Sequence, residues 1–248
     1  FIINSDDVTV GGEALADGNS LTNIAWDGIK FSGGNGAIIQ NNTLDGVTRA
    51  GIYLGGVNTA SVLSNTLSNV ATNAVGAIES DNGSNLTIRS NNVLSSNANG
   101  ISVNNAGGVN VIDANTISNT AASGVRVDNA AGLSVTGNTI SSTTAHGITV
   151  ANSNGAKIEN NDVTLASGNG IVVSASNDVV IGHATNRALS NRLTNITGNG
   201  IDVANGTNVT INGNSGNAIK GAAINVAGTA GARITGNGFF NVAANALG

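Results

Sequence analysis

The sequence predicts an all-β chain: a single-stranded, right-handed parallel β-helix of about ten coils, each of ~23 residues, with an internal asparagine ladder. Three observations predict it. The first is a recurring stretch, Leu133-Ser134-Val135-Thr136-Gly137-Asn138-Thr139-Ile140, in which a short apolar strand, a tight turn, an asparagine and another apolar residue follow one another. It returns as Leu86–Val93, as Ala232–Phe239 and as Ala37–Leu44. With the asparagine as a ruler, the chain reads Asn19, Asn42, Asn65, Asn91, Asn115, Asn138, Asn161, Asn191, Asn214 and Asn237. Their numbers step by 23, 23, 26, 24, 23, 23, 30, 23 and 23. The second is a small residue followed by Ile or Val: Gly28-Ile29, Gly51-Ile52, Ala77-Ile78, Gly100-Ile101, Gly124-Val125, Gly147-Ile148, Gly170-Ile171, Gly200-Ile201 and Ala223-Ile224. These markers lie nine residues beyond their asparagines, except Ala77, which lies twelve beyond. Two markers in phase over nearly the whole chain define a repeat protein. The third is that apolar residues alternate inside each repeat instead of recurring at 3.6, so the segments are strands.

Each repeat holds three of these strands. The first is the small-Ile-x-Val segment, as in Gly28-Ile29-Lys30-Phe31 and Gly147-Ile148-Thr149-Val150, with the second and fourth positions apolar. The second precedes the asparagine. A third, expected to be shorter, follows it, with apolar pairs such as Leu21 and Ile24 or Leu67 and Val70. Three short strands in so few residues cannot pair within their own repeat. Their backbone groups must bond to equivalent strands one repeat above and below, so that each coil adds ~4.8 Å along an axis. A left-handed β-helix is built on hexapeptide multiples, which this period is not, and parallel crossovers are overwhelmingly right-handed. The asparagine column follows from the same stacking. Asn tolerates the left-handed backbone of a sharp corner, and amides stacked at the coil spacing donate and accept along the axis.

Composition agrees with a packed solenoid and narrows its partners. The chain has 248 residues, 35 of them Gly, with no Pro, Cys or Met and six aromatics. Charged side chains make up only 9%, but 40% of the chain is hydrophobic and recurs periodically, which excludes disorder. A net charge of −5 without basic runs argues against nucleic acid or an anionic membrane surface. Without cysteine there is no disulfide and no thiolate metal site, as suits a secreted bacterial protein. No apolar run approaches the ~20 residues of a membrane-spanning helix. Starting at Phe1 without a methionine or signal peptide, residues 1–248 are expected to be one β-helix domain cut from something longer. The ends support this expectation. Ala246-Leu247-Gly248 stops one residue short of a complete strand motif, and Phe1 placed after it would supply the missing apolar residue. The joined coil, from Asn237 round to Asn19, would be as long as the one from Asn161 to Asn191. End-to-end self-association, or continuation of the same chain, follows as the expected partner.

The small-Ile-x-Val strand and the Asn-Thr-Ile/Leu-Ser turn, as in Asn115-Thr116-Ile117-Ser118 and Asn138-Thr139-Ile140-Ser141, resemble the right-handed parallel β-helix repeats of the pectin-lyase-like superfamily and of bacterial surface adhesins. The resemblance covers roughly residues 14–247. It implies the fold and an extracellular or cell-surface location, but not one activity, because lyases, hydrolases, epimerases, tailspikes and adhesins share the scaffold.

The irregular coils are where loops can carry function. Gly170 to Asn191 is seven residues longer than its counterparts, Asn65 to Ala77 carries three extra residues, and Val109 adds one, expected as a β-bulge. The first eighteen residues fit the repeat poorly.

Family enzymes imply specific residues. The pectin-hydrolysing members need clustered aspartates with Gly-His-Gly and Arg-Ile-Lys segments. This chain offers Asp6-Asp7, Ala145-His146-Gly147 and Arg233-Ile234-Thr235. The aspartate pair lies about six coils from His146, or ~29 Å along the axis, so these pieces cannot meet. The proline-containing epimerase segment is impossible here, and the glycine-rich calcium nonapeptide is missing. A lyase needs less: an Arg or Lys base, and acidic residues holding Ca²⁺ against a uronate.

The outward third position of the Gly-Ile strand reads Lys30, Tyr53, Glu79, Ser102, Arg126, Thr149, Val172, Asp202, Asn225. Two residues on, the column reads Ser32, Gly55, Asp81, Asn104, Asp128, Ala151, Ser174, Ala204, Ala227. Glu79, Asp81, Asn104, Arg126 and Asp128 therefore share one patch. Glu79, Asp81 and Asp128 are the candidate Ca²⁺ ligands, and Asn104 and Arg126 are candidate binding residues. A solvated, salt-bridged surface accounts for the same five. Trp26 and Tyr53 are the only residues that could form a small sugar platform. His146 reads as a turn cap, and His183 has no identifiable partner. Ice-binding ranks of Thr are absent. The reading is a structural or adhesive extracellular stalk or filament segment with no catalytic residue and no cofactor beyond that Ca²⁺. The alternative is a carbohydrate-active enzyme, such as a polysaccharide lyase, or a sugar-binding domain.

Overall fold

The computed structural model describes residues 1–243, leaving aside the side chain of Arg187. Thirty strands form three parallel sheets of ten, and each strand's neighbours in its sheet are the strands one coil before and one coil after. The first sheet holds the small-Ile-x-Val strands, the second the strands before the ladder asparagine, and the third the strands after it. Thus Ile148–Ala151 pairs with Val125–Asp128 on one side and Ile171–Ser174 on the other. Among the described residues the helices are two single 3₁₀ turns, Leu15–Asp17 and Arg187–Leu189, and none is long and apolar enough to cross a membrane.

Alternation sends Ile148 and Val150 inward and leaves Thr149 and Ala151 outside. Because register holds from coil to coil, the inward residues stack in files, such as Ile52, Ile78, Ile101, Val125, Ile148, Ile171 and Ile201, all completely buried. Each such side chain contributes roughly 1.5–3 kcal/mol of transfer free energy, which lets a chain poor in charge hold together without disulfides.

The asparagine ladder runs the whole length. From Asn19 to Asn214, each side-chain amide donates to Oδ1 of the next ladder asparagine at 2.8–3.0 Å. From Asn42 onward each also donates to a second-sheet carbonyl of the preceding coil at 2.7–3.0 Å. Asn42 through Asn214 are buried, Asn237 is half-buried and Asn19 is exposed.

The corner itself differs from the expectation. The left-handed residue is the one before the ladder asparagine: Asn41, Ser64, Ser90, Ala114, Gly137, Asn160, Gly213 and Gly236 all have positive φ, and the ladder asparagines do not. The preceding residue takes the turn with its side chain outside, leaving the asparagine free to aim its amide inward.

In most coils the third strand is the longer one, although Asn92–Val93 is shorter than Thr87–Arg89 before it. Thr139–Thr143 spans five residues and Ser134–Thr136 only three. Ile140 and Thr143 are both buried although three apart, because Ser142 between them sits at φ 54° and re-phases the pleat. The same bend occurs at Asn23, Gly46, Asn69, Asn119, Leu165, Asn195, Ala218 and Asn241.

The irregular coils keep their register. The seven extra residues project between Val180–Gly182 and Arg192–Ile196, and the flanking pairings Val172↔Asp202 and Asp162↔Arg192 are undisturbed. Within that loop His183 does have partners, since its Nδ1 accepts the backbone N–H groups of Asn186 (3.1 Å) and Thr185 (3.4 Å). The extra residue at Val109 lies in a turn and not in a strand bulge. It turns Asn110 inward, where Oδ1 accepts the Leu86 N–H at 3.1 Å, and the strand after it pairs in normal register. The first coil starts earlier than the repeat markers suggest, since Ile2–Ile3 pairs with Phe31–Ser32 and Thr9–Gly11 with Ile38–Gln40. The expected join of Ala246-Leu247-Gly248 to Phe1 falls outside the described residues.

Candidate functional site

The outer face of the first sheet carries both expected columns, residue for residue. Lys30 lies against Tyr53, Tyr53 against Glu79, Glu79 against Ser102, and Ser102 against Arg126, with Asp81, Asn104 and Asp128 aligned beside them. The face holds two separate clusters.

The acidic patch is divided into small, self-satisfied groups. Glu79 accepts the Val75 N–H at 3.1 Å from the loop that the three extra residues create. Asn104 donates its amide to Asp81 Oδ1 at 3.0 Å. Arg126 Nη2 lies 3.2 Å from Asp128 Oδ2, and Asn152 donates to Asp128 Oδ1 at 2.8 Å. Glu79, Asp81 and Asp128 do not converge. Asp128 stands two coils from Asp81, ~9.6 Å along the axis, whereas oxygens sharing one Ca²⁺ lie within ~5 Å of each other. Among the described residues no three His, Cys, Asp or Glu side chains gather as a metal-binding group.

The second cluster lies one coil toward the N-terminus and gathers residues that the sequence did not connect. Lys30 sits between two rings of its own outward column, its Nζ 5.5 Å from the centroid of Phe1 and 4.6 Å from that of Tyr53. Its ammonium also donates to Asp27 Oδ2 at 3.1 Å. Arg49 lies over Trp26, 5.7 Å from the ring centroid, with its Nε 3.7 Å from Asp27 Oδ1. The Asp27 side chain is only 4% exposed, while Trp26 is 70% exposed. Phe1, Trp26, Asp27, Lys30 and Arg49 line a cavity of about 300 Å³. Burial, reinforced by the negative charges of Asp81, Glu79 and Asp27, pushes the Tyr53 hydroxyl above its usual range. Trp26 and Tyr53 thus belong to one region, but Arg49 and Lys30 each occupy an aromatic face. The signal for this cluster was present in the repeat: Arg49 stands one coil above Trp26 and Lys30 one coil below Tyr53.

His146 is a turn cap, as expected, and belongs to a second ladder at the corner before the first sheet. Its Nδ1 accepts the Asn169 N–H at 2.9 Å, as Asn99 Oδ1 accepts Ser123 N–H (3.0 Å), Asn169 Oδ1 accepts Asn199 N–H (2.8 Å) and Asn199 Oδ1 accepts Ala222 N–H (2.8 Å). Burial lowers the pKa of His146, opposed by the charge of Asp202.

Two family models match the chain. The model described as "Right handed beta helix region" matches residues 76–239, and the model described as "Periplasmic copper-binding protein (NosD)" matches residues 1–126. No curated protein matches. Among solved structures, the periplasmic alginate epimerase AlgG is similar at 13% identity and a TM-score of 0.53, with 91% of this chain and 64% of that one covered. The surface adhesin PfbA of Streptococcus pneumoniae is similar at 11% identity and a TM-score of 0.47, with 95% and 77% covered. The catalytic domain of a GH87 α-1,3-glucanase gives 14% identity and 0.41, with 95% and 62% covered. At this identity the likeness to AlgG is one of fold.

Copper does not fit the residues present. Copper sites draw on imidazole, thiolate and thioether donors, and residues 1–126 contain no His, Cys or Met. The two histidines elsewhere each commit Nδ1 to backbone N–H groups. By its stacked parallel sheets, its ladder and its matched sequence, the chain belongs to the right-handed beta helix family, sharing over residues 1–126 the pattern described for NosD proteins without a copper donor set.

Proposed function

We propose that this chain is a structural or adhesive segment of an extracellular or cell-envelope protein, a stiff stalk that displays its first-sheet face. The observation that carries this reading is the internal pairing of every candidate catalytic charge. Arg126, the only basic residue in the acidic patch, is held by Asp128, and Glu79 and Asp81 accept hydrogen bonds from Val75 and Asn104. A lyase base must instead be free to meet a substrate proton while a cation is held nearby. The envelope location draws support from the periplasmic description of the NosD model. The proposal treats residues 1–248 as one domain and includes end-to-end continuation into further coils. Unbroken register up to the last described strand, Gly238–Val242, supports that continuation.

The test is an assay of the purified chain on pectate, alginate and related polyuronates with and without Ca²⁺. No unsaturated or epimerised product is expected. Turnover that disappears in Arg126→Ala would replace the stalk with the enzyme.

A further inference from the structure

The described coils end in open sheet edges on both sides. Among the described residues, Ile2–Ile3, Thr9–Gly11 and Ser20–Ile24 pair only with the coil after them, and Ile224–Ala227, Arg233–Thr235 and Gly238–Val242 only with the coil before. Their outward backbone groups form a template for further strands. Inward side chains are also uncovered there: Ile234 is 48% exposed, and Ile2, Val10, Leu21, Ile24, Val226, Phe239 and Val242 are only partly buried. The ladder is unfinished at both edges, in opposite senses. Asn19 Oδ1 accepts no hydrogen bond among the described residues, whereas each later ladder Oδ1 accepts the side-chain amide of the asparagine before it. At the other edge the backbone N–H of Asn237 donates to no described residue. The loop at residues 12–18 leans away from the first edge, because Asn41 of the following coil donates to the Gly12 and Glu13 carbonyls at 2.7 and 3.1 Å.

We propose that the edge formed by Ile224–Ala227, Arg233–Thr235 and Gly238–Val242 docks the opposite edge of a second copy of this chain, head to tail. Carrying the pairing register one coil further sets Ile2 of the copy on Val226, Val10 on Ile234, Leu21 on Phe239 and Ile24 on Val242, apolar against apolar at all four places. The ladder then closes with bonds of the kind it already makes. Asn237 donates to Asn19 Oδ1 of the copy as Asn214 donates to Asn237 Oδ1, through side chain and backbone, both at 2.9 Å. Asn19 donates to the Ile234 carbonyl as Asn237 does to that of Ile211, at 2.9 Å. Charge points the same way. Residues 1–18 contain Asp6, Asp7, Glu13 and Asp17 with no Lys or Arg, whereas the charged residues after Asp202 are Lys220 and Arg233. Unlike ends therefore attract and like ends repel. Two joined copies still offer one edge of each kind, so the contact is heterologous and propagates into a filament. The inference deepens the stalk reading and rests on its end-to-end continuation, for which it names the partner and the joint.

Sedimentation velocity of the 248-residue chain tests the joint. Rods that lengthen with concentration up to about 100 μM are expected, and negative-stain microscopy should show them growing along one axis. Val10→Lys blocks one edge and Ile234→Lys the other, each setting a charge against an apolar partner, so each should weaken self-association at least about a hundredfold. Asn19→Ala, at an exposed ladder position, tests the first edge without adding a charge and should weaken it about tenfold. Circular dichroism verifies that the variants are folded. The decisive step mixes the two lysine variants, since each retains the edge that the other lacks. The mixture should form a one-to-one pair and nothing longer. A chain that stays monomeric at every concentration, a lysine variant that still dimerises with itself, or a mixture that does not pair overturns the joint. None of these results touches the stalk reading, which stands or falls on the polyuronate assay, so the two fail separately.

Discussion

Asn161 Oδ1 accepts two hydrogen bonds from Asn138, one from its side-chain amide at 2.9 Å and one from its backbone N–H at 3.0 Å. Asn138 in turn plays the acceptor for Asn115 in the same double fashion and donates to the Ile112 carbonyl at 2.9 Å. One buried amide therefore joins three coils, and its removal orphans groups on both sides.

Asn138→Ala should accordingly cost about 3 kcal/mol, since several buried polar groups lose their partners at once. Asn237→Ala, at a half-buried position, should cost about 1 kcal/mol, because water can replace what is lost. Urea denaturation of both variants measures the difference. Equal, negligible losses would show that the column is only a set of turns.

His146 gives the fold a pH dependence with a definite sign. Its Nδ1 is an acceptor in the folded chain, and burial holds its pKa below the ordinary histidine value, with Asp202 opposing. A histidine with a depressed folded pKa contributes stability fully above its unfolded pKa of ~6.5, and that contribution is lost as pH falls through the folded value. Protonation turns the acceptor into a donor facing the Asn169 N–H. The thermal midpoint of the native chain should drop between about pH 7 and pH 5. His146→Asn, which installs the residue found in this column at positions 99, 169 and 199, should drop less. Parallel curves for the two proteins would remove His146 as the cause.

The period, the ladder and both outward columns of the first sheet were legible because coil-on-coil pairing forces equivalent residues to equal spacing. What was not legible depends on backbone states that sequence marks poorly. Ala114 and Ser64 take left-handed corners that Gly137 also takes, so no residue type announces the position. Ile2-Ile3 lacks the small-residue marker and becomes a strand only through Phe31 and Ser32. The Trp26 cleft was half visible. Tyr53 and Trp26 stand out in the sequence as aromatics, but nothing in it marks Asp27 as the carboxylate on which Lys30 and Arg49 converge.

Leu165 is a site where the sequence works against the fold. It sits at φ 58° in the bend of Asp162–Ala166, exposed to solvent, where the equivalent residues in other coils include Asn119, Ser142 and Asn195. A leucine in the left-handed region costs about 1 kcal/mol, and asparagine tolerates it better. Leu165→Asn should raise stability by roughly 0.5–1 kcal/mol, read as a higher urea midpoint. A loss of stability would mean that Leu165 packs against a partner that offsets its strain.

The acidic patch should be indifferent to calcium. Its carboxylates are paired one by one, and the Arg126–Asp128 bridge is partly solvent-exposed, a setting in which ion pairs contribute about 0–1 kcal/mol. Arg126→Ala and Glu79→Gln should therefore each shift stability by less than about 1 kcal/mol. Thermal midpoints in EDTA and in about 5 mM CaCl₂ should coincide, because that concentration would saturate even a weak extracellular-type site and raise the midpoint measurably. If Ca²⁺ stabilises the native chain and the triple change of Glu79, Asp81 and Asp128 to their amides abolishes the effect, these carboxylates move together to hold a cation. The spacing of the coils, which keeps Asp81 and Asp128 two steps apart, would then have to be bridged by side-chain rearrangement and water. The simpler expectation is a patch whose charges answer one another.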